Sequence, residues 1–171
     1  VMVAVESAEN ADALNAAALA KGVRLRVVIE VDIGMGRCGT LPGEETLALA
    51  QHILTLPGLR FAGLMGYEGH LVMVPDWADR KQRTLADVAR LTGTADLLRK
   101  NGIPVEIVSS GGTGTHEITG HIAGITELQV GSYMTMDAQY REGAGVMFDY
   151  ALTVLCTVIS TRGSGHAIID A

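Results

Sequence analysis

Arg37 sits in "VDIGMGRCGT", residues 31–40, where a strand-like run ends at Asp32 and two glycines bracket Met35. An arginine delivered by a glycine turn at a strand end can give a forked pair of hydrogen bonds to an oxyanion. The same spacing also suits a surface arginine on a tight turn, and spacing alone does not separate the two. A second stretch, "VEIVSSGGTGTHEITG" at residues 105–120, stops a β-branched run in two serines and two adjacent glycines, followed by Thr113, Gly114 and Thr115. Consecutive glycines bare backbone N–H groups and the threonines add hydroxyls. A helix starting near Thr115 would aim its first amides at the same place. The chemistry that fits is phosphate binding, although many glycine-rich turns are only turns. No Gly-Lys-Ser/Thr follows, so this is not a P-loop, and the glycines are wrongly spaced for a dinucleotide fingerprint. "QVGSY", residues 129–133, repeats glycine plus hydroxyl at the end of the next strand. Two adjacent loops of this kind are the phosphate site of a parallel barrel's last strands.

The elements that must position these residues alternate. "VMVAV", "RLRVVIEVDIG", "LRFAGLMGYEG", "IPVEIVSSGG" and "GITELQVGS" read as strands. Between them, "SAENADALNAAALAKG", with Ser7 as N-cap, "LPGEETLALAQHILTLPG" and the long "DWADRKQRTLADVARLTGTADLLRKNG" read as helices, the last with a possible break at Gly93. Strands alternating with helices give a parallel sheet with crossovers. The glycines at 34, 66, 69, 111, 112 and 131 all fall where a strand gives way to a loop, and Asp32, Arg37, Tyr67, Glu68, Ser109, Ser110 and Gln129 gather at the same ends. The expected fold is α/β: about the last five strands of a partial (β/α)8 barrel, with residues 1–145 its C-terminal part and three strands upstream of Val1. After that the texture turns β-rich, in "FDYALTVLCTVIST" and "HAIIDA", and residues 146–171 read as the beginning of a C-terminal β domain.

Composition narrows the partners. The 171 residues carry a formal net charge of −6 and no basic cluster, against nucleic acid or an anionic membrane as partner. No apolar run approaches the roughly 18 residues of a membrane span, and no basic segment opens a leader peptide. Cys38 and Cys156 show no metal-site or disulfide spacing, so a cytoplasmic location is the default.

In order along the chain, "VDIGMGRCG", "GLMGYEGH", "SSGGTGT" and "ELQVGSYMTMDAQY" resemble the fold-type III pyridoxal-phosphate enzymes. The nearest branch is the group of D-threonine aldolase, D-serine dehydratase and 3-hydroxy-D-aspartate aldolase, related to alanine racemase. The resemblance spans nearly the whole chain. It implies that Arg37 hydrogen-bonds the phenolic oxygen of pyridoxal 5'-phosphate and that Tyr67 stacks on its pyridine ring. It places Thr113, with the amides around Gly111 and Gly112, and Gly131 with Ser132, on the phosphate. Tyr140 falls near the cofactor, and Gln129 faces the pyridine nitrogen. A neutral amide there cannot keep that nitrogen protonated as a carboxylate would, so a softer electron sink is implied.

The family also needs a lysine to form a Schiff base with the cofactor. Lys21 and Lys100 each sit near a helix end before a glycine, and Lys81 lies in the charged "DRKQR" run, so all three read as outer surface residues. The resemblance puts the reactive lysine on the first barrel strand, before Val1. His70, three residues after Tyr67, is a candidate for proton transfer or substrate contact. Its family match is inexact, because some relatives carry a histidine where this chain has Met73. His52, His116, His121 and His166 read as helix, loop or turn residues. The aldolase branch uses a divalent metal, Mn, Mg or Zn, and its ligands would lie beyond Ala171. The implied protein is a homodimeric lyase cleaving β-hydroxy D-amino acids by retro-aldol reaction to glycine and an aldehyde, of which this chain is an inactive fragment. A D-serine dehydratase-like elimination is the alternative within the class. A pyridoxal-phosphate-binding regulator and a phosphate-binding barrel isomerase are alternatives outside it.

Overall fold

The computed structural model describes residues 1–161, 163 and 165–171. Strand β1 (Met2–Val5) leads into helix α1 (Ala8–Ala20), which starts where the sequence supplies a cap: the Ser7 hydroxyl accepts the Asn10 amide at 3.1 Å. The alternation continues through β2 (Leu25–Glu30), α2 (Glu44–Leu54), β3 (Leu59–Met65), α3 (Trp77–Lys100), β4 (Ile107–Ser110), the single turn α4 (His116–Thr119) and β5 (Glu127–Leu128). The break expected at Gly93 is not there. Asp76 caps α3 by accepting the Asp79 amide at 2.7 Å, and Leu91, Ala95 and Leu98 carry one buried face straight past the exposed glycine. Burying leucines, at roughly 1.5–3 kcal/mol each, outweighs the roughly 1 kcal/mol that a helical glycine costs.

The five strands are all parallel and lie in chain order, β1-β2-β3-β4-β5. This is the α/β arrangement read from the sequence, with strands ordered as successive barrel strands are. Val27, Ile29, Leu64 and Val108 fill the core with Leu47 and Ile53 of α2 and Val88, Leu91 and Leu98 of α3. Register aligns the strand ends. Glu30 pairs with Met65, Met65 with Ser109, and Ser109 with Glu127, so one row crosses β2 to β5 at one level. A bulge at Ala62 shifts β3 by one residue against β2: Val27 pairs with Phe61 but Val28 with Gly63.

Beyond β5, Met136, Ala144 and Val146 form a small second cluster with Tyr140 and Phe148. The β-rich tail yields one antiparallel pair, β6 (Val158–Ser160) with β7 (Ile168–Ile169), while residues 148–157 take no strand. Arg162 and Ser164, inside the expected second domain, lie outside the described residues. Among the described residues no helix is long and apolar enough to cross a membrane.

Candidate functional site

β2 ends at Glu30, and the turn after it is built by Asp32. Its Oδ1 accepts the Gly34 amide at 2.9 Å and the Gly36 amide at 3.0 Å. These bonds, Gly36 first, favour the charged form and hold the Asp32 carboxyl below its ordinary value. Gly36 takes φ +66°, a conformation in which L side chains are strained, and so turns the chain to present Arg37. Arg37 is half-exposed. Its Nη2 donates to Glu30 Oε1 at 3.3 Å, and its guanidinium lies 5.9 Å from the centre of the Tyr67 ring.

β3 delivers Tyr67 and Glu68 to opposite sides. The Tyr67 ring occupies the space that side chains at Gly69 and Gly112 would need. Burial first, then neighbouring Tyr140 and Glu68, push its phenol above the usual value, against a smaller opposing pull from Arg37, so it is neutral at physiological pH. Glu68 is fully buried. Its Oε2 accepts from Ser110 Oγ at 2.8 Å and the Gly111 amide at 3.1 Å, and its Oε1 accepts from the hydroxyls of Thr115 and Thr119, both at 2.7 Å.

The glycine loop therefore admits parts of the protein itself. A Cβ at Gly114 would fall on the carbonyl oxygen of Val72, one at Gly111 on Leu128 and Thr119, and one at Gly112 on Tyr67 and Val72. The Gly111 amide is spent on Glu68 and the Gly112 amide on Thr115 Oγ1 at 3.0 Å. That departs from the expectation that these two amides face a phosphate. The helix expected near Thr115 is the one-turn α4, too short for a developed dipole. Thr113 is buried, and its Oγ1 accepts the Tyr133 amide at 3.1 Å, which leaves its own proton to donate.

Seven of the ten residues singled out in the sequence converge. Arg37, Tyr67, Thr113, Gln129, Gly131, Ser132 and Tyr140 line one open cavity of about 320 Å³ at the C-terminal strand ends, a volume at the small end of ligand pockets. Gln129 Nε2 is buried there without a hydrogen-bond partner among the described residues. Nothing lies within 4 Å of where a Cβ on Gly131 would stand, so this glycine leaves room rather than meeting a protein need. A larger hollow of about 550 Å³ between Trp77, Leu85 and His121 has a mainly apolar lining and lies between the first turns of α3 and the α4 region, with none of the seven residues in its wall.

Gly111, Gly112 and His70 are not in the lining. His70 is turned to α3, its Nε2 3.0 Å from Asp87 Oδ2, and Asp87 also lies 3.7 Å from Arg90. His52 pairs with Asp12 at 2.7 Å on the helical surface. All three lysines belong to the helical layer: Lys21 caps the end of α1, Lys81 lies over the Trp77 ring at 4.7 Å, and Lys100 closes α3. Among the described residues no three His, Cys, Asp or Glu side chains gather as a metal-holding group. Two residues that matter here were not assigned a role from the sequence, Glu68 and Asp87. The signal for Glu68 was the set of hydroxyls at 110, 115 and 119, three donors that need an acceptor once buried. Asp87, a lone acidic residue in mid-helix, gave none.

The family model for the alanine racemase N-terminal domain matches residues 1–139. The chain is 38% identical over 177 residues to a D-threonine aldolase of an Arthrobacter species, covering all of this chain and 46% of that protein. It is 34% identical over 179 residues to a 3-hydroxy-D-aspartate aldolase of Paracoccus denitrificans, again covering all of this chain and 46% of the relative. Among solved structures, a D-threonine aldolase from Filomicrobium marinum superposes with a TM-score of 0.94 at 34% identity, over 99% of this chain and 47% of that one. The D-threo-3-hydroxyaspartate dehydratase from Delftia sp. HT23 superposes with a TM-score of 0.87 at 30% identity, over 99% and 46%. The chain thus spans about half the length of the curated relatives it matches.

Proposed function

The chain belongs to the alanine racemase N-terminal domain family, the fold-type III pyridoxal-phosphate enzymes, and from that premise we propose that it is the cofactor-binding part of a longer lyase acting on β-hydroxy D-amino acids. The observation that carries this reading is the convergence of seven residues, from four strand-end loops and the segment beyond, on one cavity with an unpartnered amide in its wall. The cavity fits the cofactor. Gln129 Nε2 has a free donor for a ring nitrogen, Arg37 stands beside the neutral Tyr67 phenol, and the room left at Gly131 lies next to the Thr113 and Ser132 hydroxyls.

In this reading Thr113, Gly131 and Ser132 hold the phosphate, Tyr67 packs on the ring face, and Arg37 donates to the phenolic oxygen. Tyr140 closes the same wall. Bound there, pyridoxal phosphate supplies a sink for the electron pair left on Cα when the Cα–Cβ bond breaks. Gln129 tempers that sink: an amide N–H that donates to the pyridine nitrogen needs its lone pair, and so favours the unprotonated ring. His70, oriented by Asp87, is the proton-transfer candidate at the rim rather than in the cavity wall.

We assign the Schiff-base lysine, the ligands of a divalent Mn, Mg or Zn ion, and the homodimer interface to the remainder of the longer protein. Residues 1–145 are its barrel part, residues 146–171 open its β domain, and it is placed in the cytoplasm. Similarity to the Delftia dehydratase favours elimination of the β-hydroxyl as the second reading. Product analysis separates the two. The longer protein, incubated with D-threonine or D-threo-3-hydroxyaspartate, should release glycine and an aldehyde. Release of ammonia with a 2-oxo acid would transfer it to the dehydratase reading, and no turnover of either substrate would remove both.

A further inference from the structure

We propose that Glu68 is a positioning residue for the phosphate: its carboxylate sorts the hydroxyls of the Ser110–Thr119 segment so that Thr113 alone donates into the cavity. The inference rests on the pyridoxal-phosphate reading above. Glu68 is fully buried and has no cationic partner among the described residues. A bare carboxylate in that setting is costly, and its compensation is four donors, two on each oxygen. If the position needed only volume, an apolar side chain would serve as well or better. What the carboxylate adds is direction. It is acceptor-only, so the Ser110, Thr115 and Thr119 protons must all point at it.

The remaining hydroxyl of the segment, that of Thr113, makes no bond to Glu68. It accepts the Tyr133 amide instead, which joins the 110–119 segment to the 131–133 loop and commits its proton outward. The Thr113–Tyr133 bond thus ties the two loops proposed to grip the phosphate to each other, and Glu68, which lines no part of the cavity, fixes the 110–119 segment that carries one end of that bond. Electrostatics alone would argue against a carboxylate beneath a phosphate, since like charges repel. The sign of its effect therefore decides the role. If Glu68 acted only through its charge, neutralising it would tighten phosphate binding. If it orders donors, neutralising it must loosen binding. In Glu68→Gln one oxygen becomes an NH2 that cannot accept, so the Thr115 and Thr119 hydroxyls must reverse, and the Thr115–Gly112 contact at 3.0 Å must re-form with them.

The test compares two probes, pyridoxal 5'-phosphate and pyridoxal, titrated into the metal-free and cofactor-free longer protein by visible absorption. Wild type should prefer the phosphorylated probe strongly. Glu68→Gln should cut that preference about tenfold or more with pyridoxal affinity nearly unchanged, because the defect lies in phosphate donors alone. Thr119→Val, which removes one of the four donors outside the cavity wall, should cut it by a smaller factor and serves if Glu68→Gln does not fold. A preference unchanged or raised in the variant that folds overturns the positioning role. Equal losses for both probes also overturn it, in favour of a merely structural carboxylate. Wild type without a preference for the phosphorylated probe would defeat the cofactor reading instead.

Discussion

Gly131→Val separates room for a ligand from room for the fold. Gly131 has φ −124° and ψ −57°, on the side of the map that L residues occupy, and nothing lies within 4 Å of a Cβ built there. The folded chain should therefore accept valine within about ±0.5 kcal/mol, the range of ordinary surface changes. For a domain of this size that moves the melting temperature by about 1–2 °C. In the proposed site the added methyls enter the space of the phosphate and cost it at least one charge-assisted hydrogen bond, about 1.5–3 kcal/mol. That is about a 10- to 150-fold weaker affinity for pyridoxal phosphate. Calorimetry of the longer protein and titration of the cofactor's visible band give the two numbers independently. Gly114→Ala supplies the opposite pattern, because its Cβ would meet the Val72 carbonyl oxygen and the damage should appear first in stability. Unchanged cofactor affinity in a well-folded Gly131→Val protein would refute the assignment of this loop to the phosphate.

Arg37→Ala in the longer protein should lower activity and shift the cofactor's visible absorption, and Arg37→Lys should rescue poorly because an ammonium cannot copy the fork; full activity in both would leave Arg37 a turn residue. Asp32 makes a pH prediction. Its carboxyl is depressed in the folded state by the Gly36 and Gly34 amides, so its contribution is complete above the ordinary carboxylate value of about 3.9 and fades as pH falls through the lower folded value. Asp32→Ala should cost roughly 1 kcal/mol at neutral pH, the scale of a lost side-chain cap, with the gap to wild type closing below about pH 4; a gap that stays constant into acid would refute it. Leu64→Ala, at a fully buried core position, should cost about 2–5 kcal/mol in denaturant unfolding. Borohydride reduction of residues 1–171 after incubation with pyridoxal phosphate should leave no stoichiometric adduct on Lys21, Lys81 or Lys100, and peptide mass mapping that finds one would show the reactive lysine to be misplaced.

Legibility in the sequence followed the range of the forces involved. Helix caps and strand ends are local, so Ser7 and Asp76 mark helix starts in the chain as they do in the fold. Gly93 misled for a related reason: propensity reports a cost but not the tertiary burial of Leu91 and Leu98 that outweighs it. The glycines at 111, 112 and 114 were visible as a need for space, but a need for space does not say what fills it. Here the occupants are Leu128, Thr119, Tyr67 and Val72, each at least eight residues along the chain from the glycine it meets. The amide of Gly111 was hidden likewise, because Glu68, the acceptor that ties it to the core, lies in the loop after another strand. Gly131, unlike Gly111, Gly112 and Gly114, faces open space, and its functional reading is the one the geometry leaves standing.

Residues as distant as Arg37 and Tyr140 share one cavity because parallel strands in register end at one level. The row from Glu30 through Met65 and Ser109 to Glu127 fixes that level. Arg37, Tyr67, Thr113 and Gln129 each lie a few residues past it, so a single geometric fact gathers four loops. Register also decides which neighbour faces which way. Tyr67 and Glu68 are adjacent, and alternation along an extended chain sends them to opposite sides. Tyr67 goes to the cavity and Glu68 to the buried hydroxyls. A slip of one residue in β3 would exchange them, placing a phenol among donors it cannot satisfy and a carboxylate against the proposed phosphate. The bulge at Ala62 is what sets that parity, and it is pinned where Gly63 lets the Ile107 carbonyl approach closer than any Cβ would allow. The chemistry at the strand ends thus depends on a packing feature several residues upstream: close approach at Gly63 fixes the bulge, the bulge fixes the alternation, and the alternation puts the anion under the loop and the ring over the cavity.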